Sequence, residues 1–143
     1  MLRVLVADHD DGARQRYAAW LADAGYEVSQ AGHGAAALAL ALESNCHVVL
    51  MEALLPVLSG VEVIKRLRAQ KLGVHIIVVS AGAPDIPADV ALMTAGMFGV
   101  DHLFYKPLDR YSLLAAVADA DSHLAVGREL AALAKSAAVS GLR

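Results

Sequence analysis

Four short apolar segments constrain the fold of this chain more than any other feature. They cover residues 4–7 (VLVA), 48–51 (VVLM), 76–79 (IIVV) and 103–105 (LFY). None alternates with polar residues, which is typical of strands that are buried on both faces of a sheet. A fifth segment, residues 26–29 (YEVS), does alternate, and it predicts an edge strand with one solvated face.

Helical patterns fill the intervals between these segments. The first predicted helix has Asp10 or Asp11 as its N-cap and stops at Gly25. The other predicted helices cover residues 33–44, the stretch around residues 61–67, residues 87–98 and residues 109–120. Strands that alternate with single helices form right-handed βαβ units and a parallel sheet. The sequence therefore predicts an α/β fold, a flavodoxin-like doubly wound five-stranded parallel sheet of order 2-1-3-4-5.

The length of 143 residues fits one domain with a short appendage. We assign residues 1–120 to the domain and residues 121–143 to a C-terminal helical extension. Val126, Leu130, Leu133 and Ala137 give this extension an apolar stripe, which Gly127 weakens near its start. The extension is expected to pack over the domain, to extend the last helix, to mediate dimerisation or merely to cap the domain, and the sequence leaves these alternatives open.

Composition excludes several classes of protein. No apolar run approaches the length of a membrane span, and the N-terminus leaves no room for a secretory signal. A single cysteine, Cys46, excludes an internal disulfide and fits a reducing compartment. The formal charge of −3 and the absence of a Lys/Arg cluster argue against nucleic-acid binding. We therefore expect a soluble cytoplasmic domain that binds neither nucleic acid nor membrane.

Polar side chains follow the predicted strands at the points where the strands end. In an open parallel sheet, ligands bind beyond these carboxyl ends. The residues concerned are Asp8, His9 and Asp10 after the first strand, Glu52 after the third, Ser80 after the fourth and Lys106 after the fifth. Acids, a hydroxyl group and an amine from four distant segments are therefore predicted to converge on one edge.

Four motifs connect this pattern to a known family. They are residues 4–8 (VLVAD), residues 52–56 (EALLP) with Ser59 and Gly60 behind them, residues 80–81 (SA), and residues 99–101 (GVD) leading to Lys106 and Pro107. In this order, over residues 1–120, they resemble the CheY-like receiver domain of two-component response regulators. The resemblance implies a phosphorelay role, in which an aspartate accepts a phosphoryl group from a histidine kinase with the help of bound magnesium.

The resemblance also assigns roles to individual residues. It places Asp8, His9, Asp10 and Leu54 in the acidic, metal-binding pocket, and Ser80, Ala81, Leu103, Lys106 and Pro107 at the switch and phosphate-contact positions. The Lys106–Pro107 peptide bond is expected to be cis, as is typical of receivers.

Three positions depart from the family pattern. Glu52 stands where receivers carry the phospho-accepting aspartate, and His9 stands where they carry a second acid that binds magnesium. Leu103 stands where a switch aromatic is usual, and we expect the nearby Tyr105 to point to the opposite face.

Two of these departures affect the chemistry. Glu52 moves its carboxylate outward by about 1.5 Å, the length of one carbon–carbon bond, and a misplacement of about 1 Å can cost about 10²-fold in rate. Imidazole is a poor ligand for magnesium, so we expect magnesium to bind weakly or not at all. We therefore predict an atypical stand-alone receiver, not an enzyme, that acts through protein–protein interaction without phosphorylation. The alternative is a conventional magnesium-dependent receiver that accepts a phosphoryl group.

Several further interpretations remain open at this point. Glu52 reaches toward Lys106 and Ser80, and either imitates the phosphorylated state or forms a structural ion pair. His9 is an ordinary loop histidine, or it binds zinc with Asp8 or responds to pH. The remaining histidines, at positions 33, 47, 75, 102 and 123, show no metal-ligand spacing and are predicted to be ordinary surface or strand-end residues.

Partners and a third class of function follow from the same features. We expect a signalling protein as partner, such as a histidine kinase or an output protein, bound at the surface of residues 86–98 and 109–120. Homodimerisation through residues 86–120 or through the C-terminal helix is an alternative. A flavin or nucleotide binder is disfavoured, because the loop after the first strand is acidic and lacks the G-x-G-x-x-G motif.

Overall fold

A computed structural model describes residues 1–70 and 73–141, with side chains up to residue 137. The strands are β1 (Arg3–Ala7), β2 (Glu27–Ala31), β3 (Val48–Glu52), β4 (His75–Ser80) and β5 (His102–Tyr105). The helices are α1 (Asp11–Asp23), α2 (Gly34–Glu43), α3 (Gly60–Gln70), α4 (Ala88–Gly96) and α5 (Arg110–Gly141). Within the described residues, the strands form one parallel sheet of order β2-β1-β3-β4-β5, which confirms the predicted fold.

The sheet separates two apolar cores, and this explains why the strand sequences lack polar alternation. Successive side chains along a strand point to opposite faces, so each central strand contributes to both cores. Helices α2, α3 and α4 cover the core that contains Leu5, Val49, Met51, Ile76 and Val78. Helices α1 and α5 cover the core that contains Val4, Val6, Leu50, Ile77 and Val79.

The last helix differs from the prediction that it ends near residue 120. Helix α5 runs without a break from Arg110 to Gly141, so the extension continues the last helix. Leu124 still packs against the core under α5, but Val126, Leu130 and Leu133 are 53%, 60% and 61% exposed. The apolar stripe therefore does not pack over the domain. Among the described residues, no helix is long and apolar enough to cross a membrane.

The loop between β3 and α3 contains a strained backbone position. The Leu58 amide donates a hydrogen bond of 2.8 Å to the Pro56 carbonyl, and Val57 between them has a φ of 70°. This three-residue γ-turn is packed against the start of α2, because the Gly34 amide also donates to the Pro56 carbonyl, at 3.0 Å. A β-branched residue at positive φ is disfavoured. Val57 is also 80% exposed, so little packing offsets the strain.

We expect Val57→Gly to raise the free energy of unfolding by about 1 kcal/mol, because glycine adopts positive φ without the clash of a Cβ atom. Urea unfolding measures the change. Val57→Ala is the matched control, since it removes the β-branch and keeps the Cβ atom, and it should gain less. An unchanged or lower stability of Val57→Gly contradicts the assignment of strain to this turn.

Candidate functional site at the carboxyl edge of the sheet

The polar residues predicted to converge do lie at one edge of the sheet. Asp8 follows β1, Glu52 and Ser80 are the last residues of β3 and β4, and Lys106 follows β5. Strand β3 extends one residue beyond its apolar run, and this residue is Glu52. The Glu52 backbone is therefore paired with Val79 of β4 in the sheet. Asp8, Glu52 and Ser80 are 1%, 3% and 0% exposed. The edge therefore carries two carboxylates that are almost fully removed from solvent.

Lys106 bridges these two carboxylates. Its Nζ atom donates a hydrogen bond of 2.7 Å to Glu52 Oε2 and lies 2.8 Å from Asp8 Oδ2. The second contact is an ion pair. His9, with a side chain that is 55% exposed, places Nδ1 3.6 Å from Glu52 Oε2 and 3.8 Å from Asp8 Oδ1. One buried ammonium group is thus shared between two acids, with an imidazole at the rim.

Burial governs the protonation of this cluster. Burial raises the pKa of Glu52, and the negative charge of Asp8 adds to the rise, so that the hydrogen bond from Lys106 does not compensate fully. Burial alone would lower the pKa of Lys106, but its contacts with Asp8 and Glu52 reverse this and raise the pKa. The ammonium form of Lys106 is therefore favoured, whereas keeping Glu52 ionised in this buried position costs free energy.

This cost predicts a pH dependence of stability. The pKa of Glu52 is higher in the folded protein than the ordinary value of 4.5, so the folded state binds more protons than the unfolded state. The wild-type chain should therefore lose stability relative to Glu52→Gln as the pH rises from about 4.5 through the folded pKa. Urea unfolding of both proteins between pH 4 and 7 checks this, with Glu62→Gln as a control for the loss of a surface carboxylate. A wild type that gains stability relative to Glu52→Gln over this range contradicts the direction of the shift.

Asp10 is not brought into the cluster. Its Oδ1 atom accepts hydrogen bonds from the Gly12 and Ala13 amides, at 3.0 and 3.2 Å, and so caps α1. The Ala13 amide in particular holds the pKa of Asp10 below its ordinary value, although the side chain is exposed. Among the described residues, the possible metal ligands that lie within 4.8 Å of one another at this edge are the side chains of Asp8, His9 and Glu52. The carboxylate of Asp10 is thus used as an N-cap.

The remaining positions assigned from the resemblance lie around the cluster. Ser80 Oγ accepts a hydrogen bond of 3.0 Å from the Gly82 amide, and no hydrogen bond joins Ser80 to Glu52 within the described part of the chain. Ala81 is exposed, and Leu54 is half-buried against the core under α2, α3 and α4. The Lys106–Pro107 peptide bond is cis, as expected.

Leu103 and Tyr105 share one face of β5, so the expectation that Tyr105 points to the opposite face is wrong. Residues two apart in a strand lie on the same side. Both side chains are exposed, by 42% and 62%, whereas the rings of His102 and Phe104 stack on each other on the other face of the strand. The Leu103 side chain lies beside α4, where its Cδ1 atom is 3.1 Å from the point that a Cβ atom on Gly96 would occupy.

Two features of the structure are not predicted by the sequence patterns above. Arg14 braces the acidic loop by donating to the Asp8 carbonyl at 2.9 Å, while its Nη2 atom lies 2.8 Å from Asp11. Nothing in the sequence distinguishes this arginine from others on the helices. At the opposite edge of the sheet, His75 and His102 meet Asp119, although the histidines were predicted to be ordinary. The available signal was that these two histidines begin neighbouring strands.

The side chains at the carboxyl edge do not fit a magnesium ion well. Magnesium demands near-ideal octahedral coordination by oxygen. The cluster offers two carboxylates, its third member is an imidazole, and the Lys106 ammonium group already contacts both acids. A cation at this position would have to displace Lys106 and would lack a third acidic ligand.

Comparison with known proteins identifies the family. Residues 4–118 match the sequence model of the response regulator receiver domain. The chain therefore belongs to the receiver domain family of two-component systems. Receiver domains are signalling modules that interact with histidine kinases and output domains.

Curated relatives agree with this assignment. The chain is 32% identical over 117 residues to the sensory transduction protein RegX3 of Mycolicibacterium smegmatis, covering 82% of this chain and 49% of RegX3. It is 36% identical over 115 residues to the transcriptional regulatory protein PrrA of Mycobacterium leprae, covering 80% of this chain and 48% of PrrA. The chain thus spans about half the length of these relatives.

Solved structures show the same fold. The signal receiver domain of the response regulator NarL from Mycobacterium tuberculosis superposes with a TM-score of 0.71 at 26% identity, covering 82% of this chain and 94% of that domain. The chemotaxis response regulator CheY4 of Vibrio cholerae superposes with a TM-score of 0.73 at 28% identity, covering 84% and 98%. Both matches leave part of the chain uncovered.

Proposed function

We propose that this receiver domain signals without being phosphorylated and acts through contacts with partner proteins. The observation that carries the proposal is the imidazole of His9, whose Nδ1 atom lies 3.6 Å from Glu52 Oε2 and 3.8 Å from Asp8 Oδ1, where the family carries a second acid. In receivers, this edge of the sheet holds a magnesium ion and a phosphoryl group. Here the acceptor position holds the longer Glu52, and the third side chain beside Asp8 and Glu52 is an imidazole.

The charge of the cluster supports this reading. Asp8 and Glu52 supply two negative charges, and Lys106 supplies one positive charge. The position that would supply a third acid is His9, which is neutral or positive. The net charge available to attract a divalent cation is therefore at most one negative charge, smaller than with an aspartate in place of His9.

Glu52 is better explained as an ion-paired carboxylate than as a full imitation of a phosphoryl group. A phosphoryl group contributes about −1.5 to −2 charges and several acceptor oxygens. Glu52 contacts Lys106, but Ser80, the other expected phosphate contact, accepts its hydrogen bond from Gly82. A buried ion pair does not by itself show that the fold is stabilised, but this pair favours one arrangement of the Lys106 side chain.

The surface of α4, β5 and the first part of α5 is the proposed contact region for a partner. Several large apolar side chains are exposed there, namely Met93, Met97, Leu103, Tyr105 and Tyr111. Exposed apolar side chains grouped on one face are typical of protein interaction sites. The proposed partner is a histidine kinase or an output protein, and a second copy of the chain, bound through residues 86–120 or through α5, is the alternative.

A conventional magnesium-dependent receiver is the second candidate function. Asp8, Glu52 and Lys106 lie together at the expected edge, and this favours the conventional function. The carboxylates of Asp8 and Glu52 offer oxygen ligands. In this case a cation would displace Lys106 from the carboxylates, and Glu52 itself would accept the phosphoryl group.

A magnesium titration followed by amide NMR shifts separates the two functions. The phosphorylation-independent domain should show no saturable shifts at residues 8–11, 52–54 and 80–81 up to millimolar magnesium. Saturable shifts confined to these loops, and abolished by Asp8→Asn, would overturn the proposal in favour of the conventional receiver.

A further inference from the structure

The histidines at the amino edge of the sheet form a cluster that receivers do not need for their chemistry. We propose that His75, His102, Asp119 and His123 form a zinc-binding site, which ties α5 to β4 and β5. The site lies at the opposite end of the strands from the Asp8–Glu52–Lys106 cluster. It is independent of the proposed function.

The sheet brings the first two ligands together. His75 begins β4 and His102 begins β5, and the register pairs Ile77 with His102. His75 and Ile77 are two residues apart and share a face, so His102 is the diagonal neighbour of His75. Their ring centroids are 5.2 Å apart. Ile77 belongs to the core under α5, so both imidazoles face this helix.

Helix α5 supplies the other two ligands. Asp119 Oδ2 lies 3.1 Å from His102 Nε2, and Asp119 Oδ1 lies 3.8 Å from His123 Nε2, one helical turn further on. The His123 ring centroid is 6.0 Å from that of His75. One ring nitrogen each of His75 and His102 and one carboxylate oxygen of Asp119 lie within 4.8 Å of one another.

An unsatisfied buried atom points to a ligand at this place. His75 is 7% exposed, and its Nε2 atom has no hydrogen-bond partner within the described residues. Buried polar atoms without a partner are rare because they cost free energy. The other ring nitrogen, Nδ1, lies 3.7 Å from Asp101 Oδ2, which already accepts hydrogen bonds from Arg68 and from the Ile76 amide.

The donor set and the available space suit zinc. Three imidazoles and one carboxylate match its preference for four nitrogen or oxygen ligands in a tetrahedron. Ligand atoms about 2.0–2.2 Å from a common ion lie about 3.3 Å apart, close to the observed separation of His102 and Asp119. The ligand atoms of His75, His102 and Asp119 lie within 4.8 Å of one another and must approach by up to about 1.5 Å. The His123 side chain is 69% exposed and has room to move. A cleft of about 440 Å³ beside His75 and His123 leaves room for this rearrangement.

Because Asp119 and His123 lie just after the end of the family match at residue 118, zinc would fasten the receiver domain to the start of the helical extension.

Titration of the full chain with Co²⁺, a spectroscopic substitute for zinc, tests the site. We expect one equivalent of ion to bind with the intense visible absorption of tetrahedral cobalt, and zinc to displace it. Asp119→Asn should weaken zinc binding at least about 10-fold. His123→Gln should also weaken zinc binding. The His123 side chain is 69% exposed on α5, so this substitution is expected to leave the fold intact.

His9→Asn is the matched control, because His9 belongs to the other cluster that holds three possible ligands. This variant should bind zinc as tightly as the wild-type chain. Absence of the tetrahedral cobalt spectrum, unchanged zinc affinity in His123→Gln, or loss of zinc binding in His9→Asn would each overturn the proposal. The last result would move the zinc site to Asp8, His9 and Glu52.

Discussion

The double substitution His9→Asp and Glu52→Asp is expected to make the domain accept a phosphoryl group from a small acyl phosphate at least about 100-fold faster than the wild-type chain. Shortening residue 52 withdraws the carboxylate by one carbon–carbon bond and returns it to the position of the family's acceptor. An aspartate at position 9 adds an oxygen ligand where the imidazole now lies 3.6 to 3.8 Å from the acids. Magnesium then has three carboxylates within reach.

The single substitutions should each recover much less than the double substitution. Glu52→Asp alone leaves the metal ligands incomplete, and His9→Asp alone leaves the acceptor misplaced, so the two effects are expected to be non-additive. Intact-protein mass measures the product. Adding Asp8→Asn to the double variant should abolish the reaction. A folded double variant that stays unmodified would show that residues 9 and 52 are not what prevents phosphorylation.

The substitution Lys106→Met is expected to lower the free energy of unfolding by about 3–5 kcal/mol at neutral pH. The Lys106 side chain is 15% exposed and is the cation that contacts Asp8 and Glu52. Its removal leaves two buried carboxylates without a counter-charge, which is far more costly than the loss of a surface pair. Lys65→Met is the control, because Lys65 is half exposed and pairs with Glu62 at 3.7 Å. It should change stability by less than about 1 kcal/mol.

A second substitution separates electrostatics from packing in this result. Combining Lys106→Met with Glu52→Gln removes one of the stranded charges and should recover part of the lost stability. The double-mutant cycle then gives a favourable coupling between Lys106 and Glu52. If urea unfolding gave equal losses of unfolding free energy for Lys106→Met and Lys65→Met, the contacts of Lys106 with Asp8 and Glu52 would be weak in solution.

Much of the fold follows from local sequence signals. Strands β1, β3 and β4 are buried on both faces, so their apolar runs are conspicuous, and the α/β alternation leaves few topologies. The convergence of Asp8, Glu52, Ser80 and Lys106 follows from the same logic, because each lies at or just after the carboxyl end of a strand. These predictions needed only the position of a residue along the chain.

Other features depend on which of several possible contacts a side chain makes, and the sequence alone does not show which contact is more favourable. Asp10 serves either as a pocket acid or as an N-cap, and in the structure it caps α1. Helix α5 continues past Ala120 because no strong helix breaker follows, although Gly127 weakens it. The His75–His102–Asp119 cluster needed the register of β4 with β5 and the position of α5, which no spacing of histidines in the sequence reveals.

Reaction of the wild-type chain with an acyl phosphate in millimolar magnesium, followed by intact-protein mass, tests whether this domain works without phosphorylation. The double variant with aspartate at positions 9 and 52 serves as the positive control in the same experiment. We expect the wild-type mass to stay unchanged while the double variant gains one phosphoryl group. A phosphoryl group on Glu52 of the wild-type chain would contradict phosphorylation-independent signalling.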